Sequence, residues 1–207
     1  MDVLFIKNYL KCVSEIMKEE KDTLIELDSV VGDGDLGLTM SDGFLAAYEK
    51  IKDIDETDCG KMLYLSGKAM SMAVPSTMGT LMASGLMNAG KALKGVYKLN
   101  KEDIVTMLVA YEAGVINRGK AEIGDKTFLD GFHPGIVAFQ EIIHEKELLA
   151  SALAGYEAAK RGYEATVGML AIHGRAATRG EASRELKDPG AYVGMLLMKA
   201  LLKCVEA

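Results

Sequence analysis

The chain has 207 residues, of which 49% are hydrophobic and 26% charged, and its 24 Lys and Arg against 30 Asp and Glu give a formal net charge of −6. This mild acidity argues against a nucleic-acid binder, which would need a basic surface. The three cysteines are widely spaced, which argues against a zinc site or a disulfide framework. No segment has the roughly 18 consecutive apolar residues of a membrane span, and the N-terminal segment lacks the basic start of a secretion signal. We therefore expect a cytoplasmic protein without a membrane or nucleic-acid partner, folded as one domain over residues 1–207.

Apolar residues recur every three or four positions along most of the chain, which is the period of an α-helix. The four earlier predicted faces are Phe5, Tyr9, Cys12 and Ile16; Met40, Phe44, Ala47 and Ile51; Met62, Leu65, Ala69 and Met72; and Ile104, Leu108, Tyr111 and Val115. The two later ones are a long stripe over Leu149, Leu153, Tyr156, Tyr163, Val167 and Leu170, and a last face over Val193, Leu196, Leu197, Ala200, Leu201 and Cys204. No run alternates as a strand does, and the three prolines leave long helices intact, so we predict an all-α fold.

An acidic, glycine-rich loop precedes the second of these faces. Asp28, Asp33 and Asp35 lie within eight residues of one another, and like charges this close are unfavourable unless a cation neutralises them. Oxygen ligands favour Mg²⁺ or Ca²⁺ over zinc. An EF-hand is excluded because its position 12, which requires a bidentate Glu, would be Phe44. A hairpin turn fits poorly with helical flanks, whereas a solvated acidic loop that binds nothing remains an open alternative.

The helix that follows this loop adds a second signal. Its first residues, Gly37 to Thr39, present backbone N–H groups without partners inside the helix, and such groups favour an anion such as phosphate. Carboxylates for Mg²⁺ beside N–H groups for phosphate are typical of a site for a magnesium nucleotide, because the ion bridges the two negative partners.

Two later loops have both a binding and a purely structural interpretation. Ser76 and Thr77 could contact phosphate or ribose, or could simply cap a helix. Arg175 offers a planar fork for phosphate oxygens, although arginine is commonly just exposed. Asp188 followed by Pro189 is a good cap and first-turn pair without any ligand.

With these residues in view, the sequence resembles the nucleotide-binding L subunit of dihydroxyacetone kinases over essentially its whole length. The resemblance is carried by four motifs in the order of that family: the aspartate loop with Gly32, Gly34 and Gly37; Arg118 to Glu122 with Gly124 to Thr127; Gly174 to Ala176; and Asp188 to Ala191. Two positions depart from the family, namely Leu36 in place of a usual histidine and Thr39 in place of a frequent asparagine. Neither change removes a metal ligand.

The resemblance implies a barrel of about eight antiparallel helices with a nucleotide, ADP or ATP, at one rim. It implies that two Mg²⁺ ions are held by Asp28, Asp33 and Asp35. The implied nucleotide contacts are Leu36, Gly37, Leu38, Thr39, Ser76, Thr77, Gly119, Phe128, Arg175, Asp188, Pro189 and Gly190, among which Arg175 is the catalytic side chain. For Asp125 and Lys126 the resemblance implies only a position behind the residues that contact the nucleotide. The three histidines, His133, His144 and His173, are interpreted as ordinary surface or core residues.

The activity that the resemblance implies is transfer of a phosphoryl group to dihydroxyacetone or a related short ketose, which a separate K-type subunit holds. Either ATP or a bound ADP that an M-type phosphocarrier protein recharges would be the donor, and a homodimer is compatible with this arrangement. Two alternatives stay open. One is a nucleotide-binding regulatory protein without turnover that binds a partner such as a transcription factor. The other is a structural helical protein whose acidic loop binds Ca²⁺ or nothing.

Overall fold

A computed structural model describes residues 1–206, and every regular element in this range is helical, so the predicted all-α class is confirmed. The α-helices are α1 (Val3–Glu19), α2 (Lys21–Val31), α3 (Leu36–Ile51), α4 (Cys59–Ala73), α5 (Thr77–Ala92), α6 (Lys101–Gly119), α7 (Phe128–Ile142), α8 (Leu148–Glu164) and α9 (Pro189–Glu206). A 3₁₀ segment spans Arg175–Glu185. Within residues 1–206 no helix combines the length and the apolar character that crossing a membrane requires.

The chain divides into two compact units, and the first comprises Met1–Lys18 and Thr39–Lys120. In this unit α4 packs against α5, and α5 packs against α6. The predicted faces of α3 and α6 are buried, with every one of their eight residues at most 7% exposed. On α1, Tyr9, Cys12 and Ile16 are buried as predicted, whereas Phe5 is half-buried.

The second unit comprises Glu19–Leu38 and the chain from Ala121 onward. Here α7, α8 and α9 pack against one another, and α2 contacts both α9 and the 3₁₀ segment. Glu20 fixes the start of α2, because its carboxylate accepts hydrogen bonds from the Tyr192 hydroxyl and from the Lys199 ammonium, each at 2.9 Å. The predicted apolar face of α9 is buried along its whole length. That residues 1–207 form one domain stays a prediction, which the division into two compact units does not test.

The predicted face of α4 is wrong. Met62 is buried, but Met72 is 83% exposed, and Ser66 and Met70 lie inside instead. The reason is a close helix contact at Gly67, where a Cβ would lie 2.8 Å from the carbonyl oxygen of Ala83 on α5. The face that carries Ser66 and Gly67 therefore packs against α5 and leaves Met72 outside.

The predicted stripe of the later helix is also wrong. The helix α8 ends at Glu164, before the last two residues of the stripe, and Leu149 and Leu153 are 45% and 49% exposed. Its buried face consists mostly of small residues, namely Ser151, Ala152, Gly155, Ala158 and Ala159, together with Tyr163. A Cβ on Gly155 would lie 3.0 Å from the carbonyl oxygen of Gly135 on α7. Close contact between two backbones again decides which face is inside.

Candidate functional site

The last turn of α2 is joined to the first turn of α3 through Asp28. The Gly32 N–H donates to the backbone carbonyl oxygen of Asp28 at 2.5 Å, which ends the helix. The Leu36 N–H, at the start of α3, donates to Oδ2 of the same residue at 3.3 Å. The N–H of Leu36, a residue that the resemblance implies as a nucleotide contact, is thus already bonded to a carboxylate. The loop between the two helices, residues 28–35, is called the aspartate loop below.

The aspartate loop brings its three carboxylates together. One oxygen each from Asp28, Asp33 and Asp35 lies within 4.8 Å of the other two, and among residues 1–206 this is the one such group of potential metal ligands. Asp28 is half-buried, while the other two are exposed. Partial burial, followed by the negative charges of Asp33 and Asp28, raises the pKa of Asp35, and Arg175 opposes this shift. The two neighbouring carboxylates thus disfavour a further negative charge on Asp35.

Two glycines make this convergence geometrically feasible. Gly34 has φ of +75°, a left-handed conformation that side chains other than that of glycine disfavour. Gly37 lies so close to α2 that a Cβ would collide with the carbonyl oxygen of Lys21. The positive φ turns the chain between Asp33 and Asp35, and the close approach places Gly37, in the first turn of α3, against α2.

Arg175 faces the aspartate loop from the 3₁₀ segment. Its Nη2 lies 2.5 Å from Oδ2 of Asp33, with side-chain exposures of 66% and 42%. Residues 169–186, called the arginine segment below, pack on the end of α2 through a small apolar cluster in which Ala171, Ala176 and Leu186 meet Val31. Because Val31 is two residues before Asp33, this cluster sets where Arg175 sits relative to the loop.

The residues present fit a hard divalent cation. Three carboxylate oxygens from one short loop supply the donor type that Mg²⁺ and Ca²⁺ prefer, and no thiolate or imidazole takes part. Their exposure leaves coordination positions for water or phosphate oxygens, which is the usual way in which proteins bind Mg²⁺. Asp28, Asp33 and Asp35 are therefore suited to hold an ion that also contacts a phosphate group.

The predicted nucleotide contacts at the start of α9 have structural partners. The Asp188 carboxylate caps this helix, because its Oδ1 accepts the Ala191 N–H at 2.6 Å, and the residue is only 7% exposed. Burial raises the pKa of Asp188 to about 7, against the lowering effect of the Ala191 N–H. Phe128 is 3% exposed, with its ring 5.0 Å from that of Phe132, and Gly190 lies against its backbone. As nucleotide contacts, Phe128, Asp188, Pro189 and Gly190 stay predictions.

The remaining predicted contacts belong to the first unit or to α3. Ser76 caps α5 by accepting the Gly79 N–H at 3.0 Å, so its structural interpretation is confirmed, and Thr77 is exposed beside it. Gly119 is the last residue of α6. On α3, Leu36, Gly37 and Thr39 are buried and Leu38 is 46% exposed. Their contacts with a nucleotide also stay predictions.

The sequence did not predict that Asp125 and Lys126 contact the arginine segment, in which His173 lies. Nε2 of His173 lies 2.9 Å from Oδ2 of Asp125. Lys126 is 2% exposed, and burial lowers its pKa, although the charge of Asp188 opposes this effect. The motif Gly124 to Thr127 marked these positions in the sequence, but nothing in the sequence linked them to a segment more than 40 residues away, at residues 169–186.

Comparison with known proteins identifies the architecture and its relatives. A family model described as the DAK2 domain matches residues 30–203. The chain is 32% identical over 208 residues to the ADP-binding subunit DhaL of PEP-dependent dihydroxyacetone kinase 2 of Listeria innocua, covering 98% of this chain and 95% of that protein. It is 33% identical over 197 residues to the ADP-binding subunit DhaL of the PEP-dependent dihydroxyacetone kinase of Escherichia coli, covering 95% and 94%.

A solved structure shares the fold. The crystal structure of the dihydroxyacetone kinase from C. freundii in complex with AMP-PNP and Mg²⁺ superposes with a TM-score of 0.71 at 22% identity. The match covers 95% of this chain and 33% of that longer chain. At this identity the likeness shows that the helices have the same arrangement.

Proposed function

This chain belongs to the DAK2 domain family, and we propose that it is the nucleotide-binding subunit of a kinase that phosphorylates dihydroxyacetone or a related short ketose. The chain covers nearly the full length of relatives that are named as ADP-binding subunits of dihydroxyacetone kinases. Because such a subunit binds the nucleotide, a separate K-type partner subunit would hold the ketose. The donor is ATP or an ADP that a phosphocarrier protein recharges.

The observation that carries this proposal is the convergence of Asp28, Asp33 and Asp35 directly before the first turn of α3. Three acidic side chains in one small volume repel one another, and the charges of Asp33 and Asp28 add to the effect of burial in raising the pKa of Asp35. A divalent cation removes this repulsion, and a polyphosphate beside it completes the charge balance. The helix start and Arg175 are the neighbouring groups that attract phosphate.

In phosphoryl transfer the protein acts mainly by positioning and by charge stabilisation. When bound, Mg²⁺ neutralises the charge of the phosphate oxygens. Asp28, Asp33 and Asp35 would hold it. The N–H groups of Gly37 and Leu38 belong to the first turn of α3, which directly follows the aspartate loop, and first-turn N–H groups have no acceptor inside their own helix. The Arg175 guanidinium, which pairs with Asp33, would turn its remaining donors to the transferred group and stabilise charge there.

A reconstituted transfer assay tests the proposal. The chain is mixed with a K-type subunit, dihydroxyacetone and Mg²⁺, with either ATP or a phosphorylated M-type phosphocarrier as the donor, and phosphorylated ketose is measured. We expect transfer with one of the two donors and its loss in Asp33→Ala. The matched control is Asp53→Ala, an exposed acid after α3. Nucleotide binding without transfer from either donor would contradict the proposal and favour a regulatory protein.

A further inference from the structure

Lys126 is a buried lysine whose ammonium group is fully used by backbone carbonyls. Its Nζ donates to the carbonyl oxygens of Met169 at 3.3 Å, Ser183 at 2.6 Å and Leu186 at 2.5 Å. A lysine ammonium has three N–H donors, so these three bonds satisfy all of them. Burial of an ammonium is costly unless it is hydrogen-bonded in this way. The contacts therefore account for the presence of a lysine at a position that is 2% exposed.

All three carbonyls belong to the arginine segment. Met169 precedes the 3₁₀ stretch Arg175–Glu185, Ser183 lies near its end, and Leu186 follows it. The segment is not a continuous helix, because Gly180 interrupts it with a non-helical conformation. Its position relative to the rest of the unit therefore depends on side-chain contacts such as those of Lys126.

The preceding residue holds the same segment nearer its beginning. The backbone carbonyl oxygen of Asp125 accepts the Ile172 N–H at 3.1 Å, and its carboxylate lies 2.9 Å from Nε2 of His173. Arg175 is only two residues beyond this second contact. Two consecutive residues, Asp125 and Lys126, thus hold the segment on both sides of Arg175.

Asp125 and Lys126 directly precede the capped N-terminus of α7. Lys126 has φ of +62°, a conformation that residues other than glycine rarely adopt and that persists where the surroundings enforce it. The next residue, Thr127, caps α7 in a reciprocal arrangement with Asp130. The unusual backbone angle directs the lysine side chain inward from a helix start whose own position is fixed.

We propose that Lys126, supported by Asp125, is a positioning residue that keeps Arg175 within reach of the aspartate loop and hence of the nucleotide phosphates. The inference deepens the proposed function and rests on it. The Lys126 ammonium donates to backbone carbonyls of the arginine segment and not to the aspartate loop, so it acts through Arg175 and the cluster around Val31. Removing the ammonium frees the segment while leaving Asp28, Asp33 and Asp35 in place on α2 and its loop.

Three calorimetric titrations test this role: Mg-ADP into Lys126→Met, into Arg175→Met and into the double variant. We expect each single variant to weaken Mg-ADP binding about tenfold or more, as loss of a charge-assisted hydrogen bond does. The double variant should be no weaker than Arg175→Met, because both act through one group. Titration with Mg²⁺ alone should show that Lys126→Met binds the ion at least as tightly as the unmodified chain, which a general loss of structure would not allow. The matched control is Lys160→Met, an exposed lysine on α8, which should bind as the unmodified chain does.

Limited trypsin digestion supplies a readout that does not depend on nucleotide. Arg175, Arg179 and Arg184 are exposed trypsin sites inside the arginine segment. In Lys126→Met, cleavage at these sites should be severalfold faster than in the unmodified chain, with other sites unchanged. If Lys126→Met does not fold, His173→Leu, which removes only the half-exposed contact to Asp125, should give the same change to a smaller extent.

The outcomes separate this proposal from the proposed function. Unchanged cleavage together with unchanged Mg-ADP binding in the folded variants would overturn the positioning role, as would additive losses in the double variant. If the unmodified chain binds no Mg-ADP, the proposed function fails. Trypsin digestion still tests the positioning role in that case, because unchanged cleavage of Lys126→Met would show that Lys126 does not hold the arginine segment in place.

Discussion

The Arg175 guanidinium pairs with the Asp33 carboxylate, at 2.5 Å between Nη2 and Oδ2, so one cation already neutralises part of the candidate metal site. The pair links two stretches of chain that are more than 140 residues apart in sequence, one in the aspartate loop and one in the 3₁₀ segment. An arginine that binds a metal ligand competes with the metal for that ligand. The same arginine is well placed to bind the phosphate that a metal would bring.

Arg175→Met is therefore expected to change the affinities for Mg²⁺ and for Mg-ADP in opposite directions. Affinity for Mg²⁺ alone should rise by up to about fivefold, because an exposed ion pair that competes with it contributes at most about 1 kcal/mol. Affinity for Mg-ADP should fall about tenfold or more, because a charge-assisted contact to phosphate is lost. Separate calorimetric titrations with Mg²⁺ and with Mg-ADP measure the two changes. A fall in both affinities would show that Arg175 only stabilises the loop.

Gly37→Ala is expected to lower the free energy of unfolding by about 1–3 kcal/mol, the usual cost of overpacking. An alanine normally stabilises a helix relative to glycine by about 0.5–1 kcal/mol, so the expected sign is opposite to that of helix propensity. The reason is the collision of the new Cβ with the carbonyl oxygen of Lys21. Urea unfolding followed by circular dichroism measures the effect.

The control for this variant is Leu45→Ala, which truncates a side chain that is 47% exposed on the same helix. Its free energy of unfolding should stay within about 0.5 kcal/mol of the unmodified chain, as is usual for surface substitutions. A Gly37→Ala variant as stable as the unmodified chain would contradict the close approach of Gly37 to α2.

Asp188→Asn is expected to change how stability depends on pH. Burial raises the pKa of Asp188 from 3.8 to about 7 in the folded chain, so between these values the folded state binds more protons than the unfolded state. Its contribution to stability therefore falls as pH rises from about 4 to about 7 and is constant above that range. Asparagine keeps an oxygen that can accept the Ala191 N–H but carries no charge. The variant should lose this part of the slope and gain stability relative to the unmodified chain as pH rises.

Thermal unfolding of both proteins at several pH values between 4 and 8 measures the difference in midpoint. A growing gap of more than about 2 °C, which corresponds to about 1 kcal/mol for a chain of this length, is the expected result. Asp53→Asn, at an exposed site, serves as the charge-matched control and should follow the unmodified chain. A gap that is constant with pH would show that Asp188 is charged throughout this range.

Large apolar residues predicted some helix faces well and others badly, and the difference has a physical cause. On α3 and α6 the large residues fill the interior, so their spacing identified the buried face. On α4 and α8 the backbones approach their neighbours closely at Gly67 and Gly155. There the small residues decide the packing, and large ones such as Met72 remain outside. A periodicity that counts only large apolar side chains cannot detect this kind of contact.

The candidate site likewise contains features that the sequence could predict and features that it could not. The aspartate loop could be predicted as a candidate cation site because Asp28, Asp33 and Asp35 are close in sequence and like charges this close favour a cation. The pairing of Asp33 with Arg175 and the contacts of Lys126 could not, since each joins residues that are far apart in the chain. The buried cap formed by Asp188 was expected from the Asp-Pro pair, but its raised pKa depends on the surrounding packing.

The central claim is that the three carboxylates of the aspartate loop hold a magnesium nucleotide. The most direct test is calorimetric titration of Mg-ADP into four proteins: the unmodified chain, Asp33→Ala, Asp35→Ala and the control Asp53→Ala. We predict binding to the unmodified chain and to Asp53→Ala, and no detectable binding to either aspartate-loop variant, with helical circular dichroism unchanged in all four. Equal binding of Mg-ADP by Asp33→Ala, Asp35→Ala and the unmodified chain would contradict the account.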